Sequence, residues 1–228
     1  AGNTAHSAMS ALVLDTTVPT VSIQPPTDAA VRRLPLTVDL ADNLASVVGL
    51  GITEVDVNTA PDGSASGAWQ RLSAGLLPAG RSTLQLDFAG LVGGARRLRG
   101  RTANGGEHPE LVGEATVTVQ VDQSSPALTD VTFTQSSPQV VDVAWIASDG
   151  RSGIVSARVE WLDGSAWRQL AGAAAASGAG RMNVDISSVP SGRQQVRLVV
   201  VDGAGNDSSA GGPVNGVAVD HTPPSVTG

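Results

Sequence analysis

Hydrophobic and polar positions alternate along this chain in short runs. Val141, Val143, Trp145 and Ala147 fall on one side of the run VVDVAWIAS. Val159 and Trp161 do the same in GIVSARVEWL, as do Val196, Leu198 and Val200 in RQQVRLVVVD. A period of two places such residues on one face of a β-strand. The second half of the chain thus predicts seven strands: ALTDVTFT, VVDVAWIAS, GIVSARVEWL, AWRQLAG, GRMNVDIS, RQQVRLVVVD and GVAVD. The stretches SSP, SDGRSG, LDGS, PSG and DGAGN lie between them. These are turn sequences, because Gly supplies a positive φ and Asp or Asn bonds its own backbone. The first half gives the same reading with TVSI, LPLTVDLA, GITEVDV, AWQRL, TLQLDF, ARRLRGRT and ATVTVQVD. Only AGAAAASGAG has helix propensity. Its Gly and Ser content, and its place between strands, favour a loop or a ragged strand.

The two halves are copies. LVLDTTVPTVSI, VQVDQSSPALTD and VAVDHTPPSVTG share alternating apolar residues, an Asp, a polar run and a Pro. Their aspartates, Asp15, Asp122 and Asp220, are 107 and 98 residues apart. Trp69 and Trp167 are separated by 98 residues, as are Asp87 and Asp185, whereas Pro19 to Pro126 and Asp42 to Asp149 are 107 apart. The nine-residue difference therefore lies between Asp42 and Trp69, divided between LASVVG and NTAPDGSAS. Insertions confined to loops are expected when a strand scaffold is duplicated. Asn3 precedes Asp15 by 12 residues and Asn206 precedes Asp220 by 14, so AGN at the start reads as the turn before a final strand. The expected organisation is residues 1–15 as the end of a preceding unit, 16–122 and 123–220 as two units, and 221–228 as the opening of another. Seven alternating strands in about a hundred residues predict an all-β fold of two tandem immunoglobulin-like or fibronectin-III-like sandwiches.

Composition narrows the function. The chain has 228 residues, 41% hydrophobic and 15% charged, enough to bury a core and too few charges for charge-driven disorder. Cys is absent, which excludes disulfides, thiolate metal sites and thiol nucleophiles. The net charge of −7 argues against nucleic acid as a partner. No apolar stretch reaches the roughly 20 residues that span a bilayer, so no membrane insertion is expected of this segment.

The motifs SDGRSGIVSARVEW, LDGSAW, VVVDGAGNDS and VAVDHTPP resemble the bacterial Ig-like tandem repeats of secreted and cell-surface proteins. The resemblance covers nearly the whole chain and is best at Asp149, Ser152, Gly153, Ile154, Asp163, Gly164, Trp167, Asp202, Ala204, Gly205 and Asn206. The first unit departs from it: NGGEH stands in place of DGAGN, and SGI is missing. The resemblance implies an extracellular or envelope-attached array, used as a non-catalytic spacer or adhesive stalk; the sequence does not name its partner and leaves protein and glycan at a cell surface both open. The alternative is a glycan- or ligand-binding accessory module of a surface enzyme.

The chemistry-bearing residues fall into four groups. Asp122, Asp149, Asp202 and Asp220 are the calcium candidates, since calcium takes several oxygen ligands and carboxylates near a domain junction supply them. Asx turns are the competing reading, and the sequence favours it, because no D-x-D-x-D loop with a downstream Glu is present. Arg97, Arg99 and Arg101 share one strand face and are candidates for a polyanion, against the reading of a solvated face. Trp69 and Trp167 are candidates for sugar stacking, although recurrence at a matched place suggests packing over a sandwich end; Trp145 and Trp161 alternate in phase with valines and read as core. His6, His108 and His221 sit among turn residues without metal-ligand spacing. No Gly-x-Ser-x-Gly elbow is present, and no enzyme activity and no catalytic residue is expected.

Overall fold

The computed structural model describes residues 16–24, 30–43, 52–60, 62–64, 67–103, 111–212 and 217–222. The expected remnant at residues 1–15, the NGGEH stretch at 104–108 and residues 223–228 lie outside them.

The chain is all-β. In the first unit the strands are β1 (Thr20–Ile23), β2 (Arg33–Ala41), β3 (Ile52–Asn58), β4 (Trp69–Leu76), β5 (Gly80–Asp87), β6 (Gly94–Ala103) and β7 (Val112–Val121). They form two antiparallel sheets with orders β1-β2-β5 and β4-β3-β6-β7. The even-numbered residues of LPLTVDL turn inward. Leu34, Leu36, Val38 and Leu40 of β2, with Leu86 of β5, meet Val57, Leu98, Val119 and Val121 from the other sheet in one core. Burying each such side chain stabilises the fold by about 1.5–3 kcal/mol.

The second unit repeats the plan with β8 (Ala127–Ser137), β9 (Val140–Ser148), β10 (Ile154–Asp163), β11 (Ala166–Ala174), β12 (Gly178–Asp185), β13 (Gly192–Gln194), β14 (Val196–Asp202), β15 (Asp207–Gly211) and β16 (Val217–Val219). Its sheets run β12-β9-β8 and β11-β10-β14-β15, with β13 paired to β16. Its core is separate: Val141, Val143, Trp145 and Ala147 of β9 pack with Val159 of β10 and with Leu198 and Val200 of β14. Trp161 packs against this core partly buried. Three strands facing four, with every pair of named strands antiparallel, make each unit an immunoglobulin-like, fibronectin-III-like sandwich.

Two glycines show how sequence fixes detail. Gly164 occupies the left-handed region at φ 63° in the two-residue turn between Asp163 and Ala166, as a tight hairpin requires. Gly180 of β12 lies under the Trp145 indole, where an added Cβ would stand 2.2 Å from Cε2. The alanine run is strand, not helix: Ala171, Ala173 and Ala174 pair with Val159, Ala157 and Ser156 of β10. A neighbouring strand overrides local propensity here.

Candidate functional site

The strongest constellation lies where the first unit meets the second. β7 ends at Val121, and the backbone N–H of Asp122 donates to the Val31 carbonyl at 3.0 Å, so this residue still belongs to the first sandwich. Its side chain belongs to the second. Asp122 Oδ1 accepts from the Ser124 N–H at 2.9 Å, and Oδ2 accepts from the Ser152 hydroxyl at 2.8 Å and the Ser152 N–H at 3.2 Å. Asp149 follows β9; its Oδ2 accepts the N–H groups of Arg151, Ser152 and Gly153 at 2.9, 2.8 and 2.7 Å. Asp202 ends β14; its Oδ1 accepts from the N–H groups of Ala204 and Asn206, and its Oδ2 from the Asn206 side-chain amide at 2.9 Å. That amide also reaches the Asp122 carbonyl at 3.3 Å.

These bonds bring one carboxylate oxygen from each of Asp122, Asp149 and Asp202 within 4.8 Å of one another. Asp122 and Asp202 are buried, with 0% and 1% exposure. Burial acts to raise the Asp149 carboxyl, but the three loop N–H groups and the Ser152 hydroxyl outweigh it and hold the group below its ordinary value. The backbone N–H groups, the Ser152 hydroxyl and the Asn206 amide that donate to the three carboxylates are all neutral. Three close carboxylates repel one another when all are ionised. Their chemistry fits a hard cation with oxygen ligands, and these three residues are the ones that could hold it. Each Asp also makes an i to i+2 turn bond, so the turn geometry and the convergence coexist. Asp220 stands apart at the other end of the second sandwich, where its Oδ1 accepts from the Thr222 N–H at 2.9 Å and from the Thr222 hydroxyl.

The arginine and tryptophan candidates meet on the outer face of the four-stranded sheets. On β6 the inward residues alternate with Arg97, Arg99 and Arg101 on the outside. The Arg99 guanidinium lies 4.2 Å above the Trp69 ring and 4.0 Å from Glu114, and Arg101 is 3.6 Å from Glu114. Arg197 lies 4.1 Å above Trp167 in the second unit. A shift of 98 residues maps one pair onto the other. The tryptophans therefore pack beneath arginines on a sheet face and not over a sandwich end, and the cation occupies one ring face.

Two residues of this region escaped the sequence reading. Glu160 on β10 is 8% exposed and binds Arg158 Nε and Arg197 Nε at 2.7 Å each. Burial acts to raise its carboxyl, and the bonds from Arg158 and Arg197 outweigh it and lower it. Arg96, the inward neighbour of Arg97, is 2% exposed and donates to the Val92 and Thr59 carbonyls. The period of two contained the first signal only: Arg96 alternates with Arg97, whereas Glu160 shares the outward face with Arg158 and is buried by Arg197 from the neighbouring strand. His221, the histidine among the described residues, has both ring nitrogens against backbone carbonyls, so neither is free to serve a nucleophile. No described helix is long and apolar enough to cross a membrane.

No protein-family model matches the chain, and no curated protein matches it. Solved structures do. A tetra-tandem repeat from the extending region of a large adhesion protein is similar at 19% identity and a TM-score of 0.36, over 91% of this chain and 51% of its own length. The FN1-FN3 domains of chicken CNTN1 are similar at 15% identity and a TM-score of 0.43, over 86% of this chain and 65% of theirs. A glycoside hydrolase domain of Endo-D from Streptococcus pneumoniae matches at 18% identity and a TM-score of 0.31, over 89% of this chain and 33% of its own length. The chain thus spans about half to two thirds of the first two. Identity and TM-score are low in all three, and no argument rests on them.

Proposed function

We propose that this chain is a non-catalytic spacing or adhesive segment of a larger bacterial extracellular or cell-surface protein, with unit boundaries at residues 16–122 and 123–220. The observation that carries the reading is Asp122. Its main chain is bonded into the first sandwich and its carboxylate into the second. A segment that sets distance needs its units held at a fixed angle, and a buried residue shared between two cores does that without a long linker. Calcium, bound by Asp122, Asp149 and Asp202, would tighten the same joint by neutralising the three carboxylates. The accessory glycan-binding alternative is weakened at Trp69 and Trp167, because one face of each ring is covered by Arg99 or Arg197.

Small-angle scattering on the chain and on Asp122→Ala tests the reading. The parent chain is expected to fit one inter-sandwich arrangement. The variant is expected to need a broad set of arrangements while each sandwich stays folded. A parent profile that already requires freely tumbling sandwiches contradicts the proposal.

A further inference from the structure

The chain leaves the second sandwich through Asp220, His221 and Thr222, directly after β16. Gln135 of β8 brackets the first of these: its Nε2 donates to the Asp220 carbonyl at 3.1 Å, and its Oε1 accepts from the Asp220 N–H at 3.3 Å. His221 follows. Its Nδ1 lies 2.6 Å from the Pro138 carbonyl in the β8–β9 turn, and its Nε2 lies 2.7 Å from the Val189 carbonyl after β12. Both partners are acceptors with no proton to give. A neutral imidazole carries one N–H and one lone pair, so at these distances one nitrogen would point a lone pair at a carbonyl oxygen. Only the imidazolium donates to both.

We propose that His221 is a pH-sensitive clasp: as an imidazolium it ties the exit segment 220–222 to two loops of the second sandwich, and on losing its proton it releases one of them. The exit then changes from fixed to hinged without any change in either core. Asp220, next to it, is the charged group that acts on the ring. The segments that supply the carbonyls, 135–140 and 186–192, contain no ionisable side chain, and neither does β16. Asp185, which precedes the second segment, is turned to the Ser187 N–H at 2.8 Å. Arg193, which follows it on β13, belongs to the residue opposite Ala218 in the β16 pairing. The two carbonyls, with Asp220, raise the proton affinity of the ring above the ordinary 6.5, against a smaller opposing effect of burial. With the folded value raised, the clasp is fully formed below about 6.5 and is lost as pH rises through the folded value.

The test is a nitrogen-15 NMR titration of the imidazole in the intact chain, with His221→Gln used to assign the signal. At pH 6.5 more than half of His221 is expected to carry protons on both nitrogens, with a midpoint above 6.5. Heteronuclear relaxation at residues 220 and 222 is expected to be rigid at pH 5.5 and mobile at pH 8.5, and to be mobile at both values in His221→Gln. A midpoint at or below 6.5, a single neutral tautomer at pH 6, or an exit segment whose mobility ignores pH overturns the proposal. None of these readouts depends on the Asp122 joint, so the two ideas fail separately.

Discussion

Arg96 and Gln194 occupy the same place in the two sandwiches, 98 residues apart, and do the same work with different chemistry. Arg96 donates to the carbonyl four residues before it, Val92, and reaches across to Thr59 as well. Gln194 donates to the carbonyl four residues before it, Pro190, at 3.0 Å. The exits differ in the same way. Asp122 and Asp220 both bond the N–H two residues on, but the next residue is Gln123 in one and His221 in the other. Gln123 leaves its amide nitrogen buried without a partner, whereas His221 has both nitrogens matched. The backbone plan is shared, and side chains at matched places decide how each unit is closed. At the first of these places the accepting carbonyls, Val92 and Pro190, are matched as well, and only the donor differs, a charged guanidinium in one unit and a neutral amide in the other.

The largest effect expected from breaking this comparison is at Trp145, which has no tryptophan counterpart in the first core. Trp145→Ala should cost about 3–5 kcal/mol in the second sandwich. In a urea titration followed domain by domain, the first sandwich should keep its midpoint; a matching shift there would show that the cores do not melt independently. Next is Asp202→Ala, which leaves two loop N–H groups without their acceptor and takes one of two acceptors from the Asn206 amide. A loss of about 1–3 kcal/mol is expected by the same titration, because buried donors lose their acceptor. An unchanged midpoint would remove the cluster from the account.

The paired arginines sharpen the comparison further. Arg197→Ala should cost about 2 kcal/mol, since it strips a bond from the buried Glu160 as well as uncovering Trp167. Arg99→Ala should cost at least about 0.5–1 kcal/mol, the contribution of its stack on Trp69 alone. An Arg197→Ala loss that is undiminished in a Glu160→Gln background would mean that Glu160 contributes nothing beyond the stack. Calcium, bound as proposed by Asp122, Asp149 and Asp202, should give a comparable shift of opposite sign. At ten- to twentyfold excess over its dissociation constant, it should stabilise the parent chain by about 1.5 kcal/mol and leave Asp202→Ala unmoved. Calorimetry in calcium and in chelator reads this directly.

Much of the fold was legible because strands with one buried face must alternate. Val141, Val143, Trp145 and Ala147 announce β9, and Leu34 to Leu40 announce β2. β15 was not legible: DSSAG has no apolar residue larger than Ala, since an edge strand beside β14 needs only to pair its backbone. RQQVRLVVVD read as one strand, but it breaks at Gln195, whose carbonyl turns to accept from Leu162 while Gly192–Gln194 pair with β16. At the site, the four aspartates were visible from their turns, but not which of them meet. Asp149 and Asp202 converge on Asp122 because the loops after β9 and β14 open at the same pole, a consequence of sheet order that no local pattern encodes. Glu160 was hidden for a related reason: its charge is satisfied by Arg197, 37 residues away on the neighbouring strand.

The central claim is that one buried aspartate fixes the angle between two sandwiches. Because the chain contains no Cys, one introduced on each sandwich at an exposed strand position accepts a spin label without background. Electron–electron distance measurement between the two labels then reads the joint itself. A single narrow distance distribution in the parent chain, broadening several-fold in Asp122→Ala, is the predicted result. A broad distribution in the parent, or a narrow one that survives loss of the Asp122 carboxylate, would contradict it.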